Sequence, residues 1–361
     1  MSRPTIYIAI TAHGFGHAVR ACTVASQIQK INPEILLILV TTAPHWLLES
    51  YISGHFIYRT RALDVGVIQG DSLTMDKEKT LARLQEIRYQ QSRLIQAEAD
   101  YIQTNRVGLV LADIPPIAAA IAKKAGVPCW MMSNFGWDFI YRDWGGEFNE
   151  IADWMSQQYS QCDRLFRLPL HESMSAFPII TDVGLTGGTP RFSVEQLRSQ
   201  FNLQIPQEKT ALLTFGGLGL QQIPYNNIKD FSDWQFITFD GHAPDFPNLL
   251  KVTDLQYRPV DFMPVVGRVV SKPGYSTFAE ALRLNIPIIS LTRAGFAESP
   301  FLLEGIKNYA HHRIVTVAEF FQGNWEFLRQ PLHPPFQSES LDANGTEAIA
   351  RAVVSFFNTM M

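Results

Sequence analysis

Residues 5–21 read TIYIAITAHGFGHAVRA, and this stretch decides the fold. Thr5 to Thr11 is a short, continuous apolar run of the kind found in strands buried on both faces. A helical pattern begins at about His17 and runs to Lys30, and between strand and helix lies a turn holding Gly14 and Gly16. A strand, a glycine turn and a helix N-terminus form the place where an α/β sheet offers backbone N–H groups and a positive dipole end to a ligand. The spacing is not the dinucleotide fingerprint. The third glycine of G-x-G-x-x-G would fall at Val19, which argues against a nicotinamide cofactor.

Outward from this unit the same alternation continues. Apolar runs at 35–40 (ILLILV), 107–113 (VGLVLAD) and 127–133 (VPCWMMS) are separated by helical patterns. The longest of these spans Asp76 to about Gln103, with Leu81, Leu84, Ile87, Leu94 and Ile95 roughly on one face. Strands alternating with helices predict a parallel α/β sheet. The pattern restarts at 211–215 (ALLTF), 235–239 (QFITF), 267–271 (GRVVS) and 287–291 (PIISL), which predicts a second sheet. Gly187-Gly188-Thr189-Pro190 lies between the halves, and Ser193 with Gln196 three residues on has the form of a capping box. The expected domains are 1–185 and 186–343, followed by a final helix at 344–361 that docks back on the first domain.

The 361 residues suit two domains, and 46% hydrophobic against 18% charged residues gives ample material for packed cores. Net charge is -4, from 34 acidic and 30 basic residues spread along the chain, with no basic run suited to a nucleic-acid backbone. Cys22, Cys129 and Cys162 fit neither a disulfide framework nor a metal-ligand spacing, so a reducing cytoplasm is the expected setting and no metal is expected. The N-terminal apolar run is too short to span a membrane and lacks a secretory signal, although the sequence leaves peripheral membrane contact open.

Several residues carry candidate chemistry. His13 and His17 flank the glycines of the first turn, and imidazole is the commonest general base; His17, at the helix start, is the stronger candidate. Asp113 closes a strand at the same sheet edge, where it either orients a histidine or caps the helix after Pro115 and Pro116. The loop SNFGWDFIY at 133–141 mixes aromatic and polar groups, so Asn134, Trp137 and Asp138 are candidate acceptor contacts, against the ordinary use of aromatics as core. In the second half, TFGGLG at 214–219 places Gly216 and Gly217 where main chain can approach a phosphate. Lys272-Pro273-Gly274-Tyr275-Ser276-Thr277 leaves a strand and opens a helix, which suits a diphosphate held by Gly274, Ser276, Thr277 and the helix end. Glu280 is placed for ribose hydroxyls, Arg293 for phosphate and Glu298 for sugar hydroxyls.

These motifs resemble those of GT-B glycosyltransferases, including the bacterial cell-wall (family 28) N-acetylglucosaminyltransferase. The whole chain resembles still more the N-terminal glycosyltransferase-like module of bifunctional L-arabinokinases, through residues 11–21, 133–141, 162–169 (CDRLFRLP), 272–282 (KPGYSTFAEAL) and 293–302 (RAGFAESPFL). The resemblance implies an α/β GT-B fold, two facing Rossmann-like domains with parallel sheets and an interdomain cleft. It also implies inverting transfer of a hexosyl group from a UDP-sugar, with His17 matching the cell-wall enzyme's loop histidine, Glu280 its ribose-binding glutamate and Glu298 lying near its donor-sugar contact. UDP-sugar would be the substrate, with no cofactor or metal, and the acceptor a small or lipid-linked molecule. No kinase domain with its own phosphate loop is present in these 361 residues, so sugar-kinase activity is not expected. Two other readings share the fold: a non-catalytic sugar-nucleotide sensor or scaffold, and a non-hydrolysing sugar-nucleotide epimerase, for which only Asp113 and Glu298 are evident acids.

Overall fold

The structure is a computed structural model that describes residues 3–360 apart from Ser72, Leu218 and Gln221. The first half runs β1 (Thr5–Ile10), α1 (Gly16–Ile31), β2 (Leu36–Thr41), α2 (His45–Tyr51), β3 (Phe56–Thr60), α3 (Lys77–Thr104), β4 (Leu109–Asp113) and α4 (Ala118–Ala125). It continues through β5 (Cys129–Ser133), α5 (Trp137–Trp144), α6 (Phe148–Tyr159), β6 (Arg164–Arg167) and β7 (Ile180–Asp182), after which α7 (Val194–Gln200) packs on the second half, where Gln200 donates to Tyr257. Its seven strands lie in the order β3-β2-β1-β4-β5-β6-β7, every neighbouring pair parallel. β1 and β4 are fully buried, as strands covered by helices on both faces must be.

The second half contains β8 (Thr210–Leu213), β9 (Gln235–Thr238), β10 (Leu249–Lys251), α8 (Pro259–Phe262), β11 (Arg268–Ser271), α9 (Tyr275–Arg283), β12 (Ile288–Leu291), α10 (Glu298–Tyr309), β13 (His312–Val315), α11 (Val317–Gln322) and α12 (Gly345–Met360). Its six parallel strands run β10-β9-β8-β11-β12-β13. In both sheets the winding reverses direction beside the first strand, between β1 and β4 and between β8 and β11. Ligands bind outside the carboxyl ends of strands at such switch points. The turn at 11–17, Asp113, the glycines at 216–217 and the 272–277 segment all lie there.

The helix predicted from about His17 begins at Gly16, and that predicted over 76–103 spans 77–104 with Asp76 as its N-cap. Ser193 and Gln196 form a complete capping box at α7. One apolar cluster runs from the first lobe, through Leu111 and Met132, to Leu212 and Val269 of the second. α12 packs on the first lobe, where Phe356 meets Trp130 at 5.3 Å between ring centroids. Phe357 covers Gly108 so closely that a Cβ there would come within 2.9 Å of its ring.

Candidate functional site

The two switch points face each other across a cleft of about 520 Å³. On the first lobe, Asp64 fastens the β1 turn by accepting from Thr11 Oγ1 at 2.5 Å and from the Ala12 N–H at 3.2 Å. Gly14, at φ +58°, supplies the left-handed residue that the turn requires. His13 and His17 both line the cleft. His13 Nδ1 lies 3.1 Å from the Val67 N–H, and burial, with the neighbouring basic groups Arg293 and Lys272, holds its basicity well below the ordinary imidazole value. His13 is therefore neutral near pH 7.

His17 Nδ1 lies 2.7 Å from Asp113 Oδ1. An ionised carboxylate can only accept, so this contact places a proton on Nδ1, and in the neutral imidazole Nε2 is then the acceptor. Asp113 is wholly buried, which by itself would raise its pKa; Arg20 and His17 overcome that cost and hold it below the usual carboxylate range. The Arg20 guanidinium grips both oxygens, Nε to Oδ2 at 2.5 Å and Nη2 to Oδ1 at 2.6 Å. Of the two readings open for Asp113, the structure selects the histidine partner. The residue preceding α4 is Ile117, and no side chain caps that helix.

The acceptor contacts expected at 134, 137 and 138 require correction, because none of the three lines the cleft. Trp137 is completely buried behind the histidines, its ring centroid 5.3 Å from His13 and 6.0 Å from His17. Asp138 accepts from Ser156 Oγ at 2.8 Å. Asn134 is buried between Arg20 and Glu298. From Trp137 this stretch is helix α5, packed with α6 in the core against the first sheet, and Phe135 alone of its aromatics reaches the cleft. The rest of the apolar cleft wall comes from Phe15 of the first glycine turn and from Trp46, Leu47, Phe239, Leu255 and Tyr257, which lie in no chemical motif.

On the second lobe, Gly216, Gly217, Lys272, Gly274, Ser276, Thr277, Glu280, Arg293 and Glu298 all line the same cleft. Leu218 lies outside the described residues. Gly216 adopts φ +79°, and a Cβ on Gly217 would strike the Phe15 ring at 2.3 Å. The lobes also touch where Ser276 Oγ donates to the Gly16 carbonyl at 2.8 Å. Lys272 sits between the two glycine turns, its Nζ 3.4 Å from the position of a Cβ on Gly274 and its Cε 3.8 Å from one on Gly216. Burial and the adjacent Arg293 bring its pKa down to about 7.

Arg293 is 8% exposed, stacks 4.0 Å above the Phe296 ring, and has no hydrogen-bond partner for Nε or Nη2. Burial lowers its pKa to about 10. Among the described residues neither Lys272 nor Arg293 forms a salt bridge. Two buried basic side chains without a salt bridge, with Glu298 as the nearby carboxylate, and the adjacent α9 N-terminus make a site that favours an anion. Glu280, 4% exposed, accepts from the Gly188 N–H at 2.9 Å, and burial raises its pKa to about 7. Glu298 Oε1 accepts from Asn134 Nδ2 at 2.8 Å.

No protein-family model matches the chain. The glycotransferase of kitacinnamycin superposes with a TM-score of 0.61 over 98% of this chain and 99% of its own, at 14% identity. The fold is GT-B. A Phytolacca americana enzyme, UGT2, solved with UDP-2-fluoro-glucose and pterostilbene, gives a TM-score of 0.60 at 13% identity, covering 98% of this chain and 93% of that one. L-arabinokinase of Arabidopsis thaliana is 28% identical over 336 residues, 90% of this chain. The GT-B chain spans 30% of that relative's length. Arg20 also lines this cleft, and no chemical motif marks it. Its signal was spacing, since three residues after His17 on a helix is the same face.

Proposed function

We propose that the chain is an inverting glycosyltransferase that moves a hexosyl group from a UDP-sugar to an acceptor hydroxyl, as a cytoplasmic protein with its three cysteines reduced. The observation that carries this reading is the pairing, across one cleft, of a carboxylate-oriented histidine with two buried basic side chains that form no salt bridge among the described residues. His17 Nε2 takes the proton of the acceptor hydroxyl as its oxygen bonds to the anomeric carbon. The bond from that carbon to the UDP oxygen breaks on the opposite face, and the electron pair leaves with the diphosphate. Asp113 keeps the imidazole in the tautomer that can accept, and it stabilises the imidazolium that forms. Lys272, Arg293 and the first amides of α9 offset the charge on the departing UDP. Glu280 accepts from ribose hydroxyls and Glu298 from the sugar. The apolar wall around Phe15 and Trp46 suits a small or lipid-linked acceptor presented with one hydroxyl towards His17.

The test is calorimetric titration with UDP, GDP and dTDP without added metal, followed by measurement of UDP release from UDP-hexoses. Selective UDP binding is expected, together with turnover that His17→Ala reduces by at least 100-fold while leaving UDP affinity within twofold, in the range for loss of a general base. UDP binding with no turnover of any UDP-hexose by the unaltered protein would refute the transferase and leave a sugar-nucleotide-binding module. Failure of every nucleotide to bind would refute the donor site itself.

A further inference from the structure

Five buried side chains, from the candidate base to Glu298 of the donor lobe, form one unbroken run of hydrogen bonds. His17 Nδ1 donates to Asp113 Oδ1 at 2.7 Å. Arg20 Nε and Nη2 donate to the two Asp113 oxygens, and Arg20 Nη1 donates to Asn134 Oδ1 at 2.8 Å. Asn134 Nδ2 then donates across the lobe boundary to Glu298 Oε1 at 2.8 Å. Arg20, Asp113, Asn134 and Glu298 are 2%, 0%, 0% and 6% exposed, so each link is made in an environment where an unmet hydrogen bond is costly.

Asn134 is the link on which the lobes turn. Its amide accepts from a cation at one end and donates to an anion at the other, so both halves of its dipole are used by charged partners on different lobes. Aspartate could not donate to Glu298, and leucine could serve neither neighbour. Glu298 Oε2 has no hydrogen-bond partner among the described residues, and Glu298 lines the cleft, so the carboxylate can hold Asn134 with one oxygen and a sugar hydroxyl with the other. If the donor lobe rotates away, the Asn134–Glu298 bond is the link of this run that must break.

On the functional reading given above, we propose that Asn134 is a positioning residue. It latches the donor lobe in the closed register and, through Arg20 and Asp113, aligns His17 with the sugar that Glu298 holds. Binding of a sugar hydroxyl by Glu298 and orientation of the base are then two ends of one geometry. The nucleotide subsite at Lys272 and Glu280 lies outside the run, so UDP itself does not report on the latch.

The experiment places spin labels on the exposed positions Gln90→Cys of α3 and Ala318→Cys of α11 and measures the interlobe distance by double electron–electron resonance. The expected result is one short distance in the parent protein, a longer and broader distribution in Asn134→Asp, and return of the short distance in Asn134→Asp/Glu298→Gln. In the double variant the new amide donates to the new carboxylate, which restores the bond with its polarity reversed. Asn134→Gln keeps the chemistry and the charge but is one methylene longer. It guards against misfolding of the aspartate variant, and it should lower the rate of UDP release from UDP-glucose at least tenfold, in kcat more than in KM, with UDP affinity unchanged.

An unchanged distance in Asn134→Asp, no restoration in the double variant, or full turnover in Asn134→Gln would each overturn the latch. Loss of UDP binding by the parent protein would instead refute the donor-site reading, while the distance measurement would still decide the latch.

Discussion

Burial and the neighbouring Arg293 bring the Lys272 pKa to about 7, although a diphosphate needs the charged ammonium. Because the folded value is depressed, the charge is present below pH 7 and is lost as pH rises through that value; a bound diphosphate draws the proton back. The protonated fraction falls from about one half at pH 7 to about 3% at pH 8.5, so affinity should fall about 16-fold, or about 1.6 kcal/mol at 1.36 kcal/mol per decade. Binding at pH 8 should take up about 0.9 proton. UDP-glucose is the ligand to use, since its diphosphate has no titrating terminal group and its uracil keeps its proton over this interval. Calorimetry in two buffers of different ionisation enthalpy yields both quantities. Arg293, at about 10, stays charged throughout. Glu280, raised to about 7, ionises in the same window and acts in the opposite direction, because its carboxylate accepts hydroxyl hydrogen bonds better than the acid. Glu280→Gln should therefore steepen the fall, and Lys272→Met should abolish it. An affinity constant within twofold from pH 7 to 8.5 in Glu280→Gln, or an unaltered slope in Lys272→Met, would refute the charge argument.

Two further outcomes follow from burial. Glu280→Ala should weaken UDP binding at least tenfold by calorimetry, the worth of a hydrogen bond to a charged group, and unchanged affinity would show that ribose lies elsewhere. Arg20→Leu leaves the wholly buried Asp113 carboxylate with His17 as its remaining side-chain partner and no arginine, at a cost of about 3–5 kcal/mol. Scanning calorimetry should then show the unfolding midpoint lowered by about 4–7 °C. Arg20→Lys should recover little of this, since an ammonium cannot span both oxygens as the guanidinium fork does.

Much of the cleft was legible because its parts sit at breaks in pattern. Each glycine turn follows a continuous apolar strand, so the 11–17, 214–219 and 272–277 segments could be assigned to carboxyl sheet edges from their order alone. The strands β3, β6, β7, β10 and β13 leave no clear apolar run in the sequence, being three to five residues long and mostly placed towards the sheet edges, where partial burial interrupts the run. The 133–141 loop misled for the opposite reason. Aromatics that stack on a sugar and aromatics that fill a second packing layer have the same composition, and the difference lies in which helix covers them.

Local periodicity and turn chemistry within the chain determined two parallel α/β halves, the glycine turns at their strand ends, and His17 as the foremost candidate base. These are short-range properties, carried by residues a few positions apart. Tertiary structure alone decided that Asp113 belongs to His17 and not to a helix cap, that Arg20 neutralises it, and that Asn134 meets Glu298 across 164 positions of sequence. A buried charge must find its partner wherever the packed lobes bring one within about 3 Å, and no spacing along the chain records that meeting.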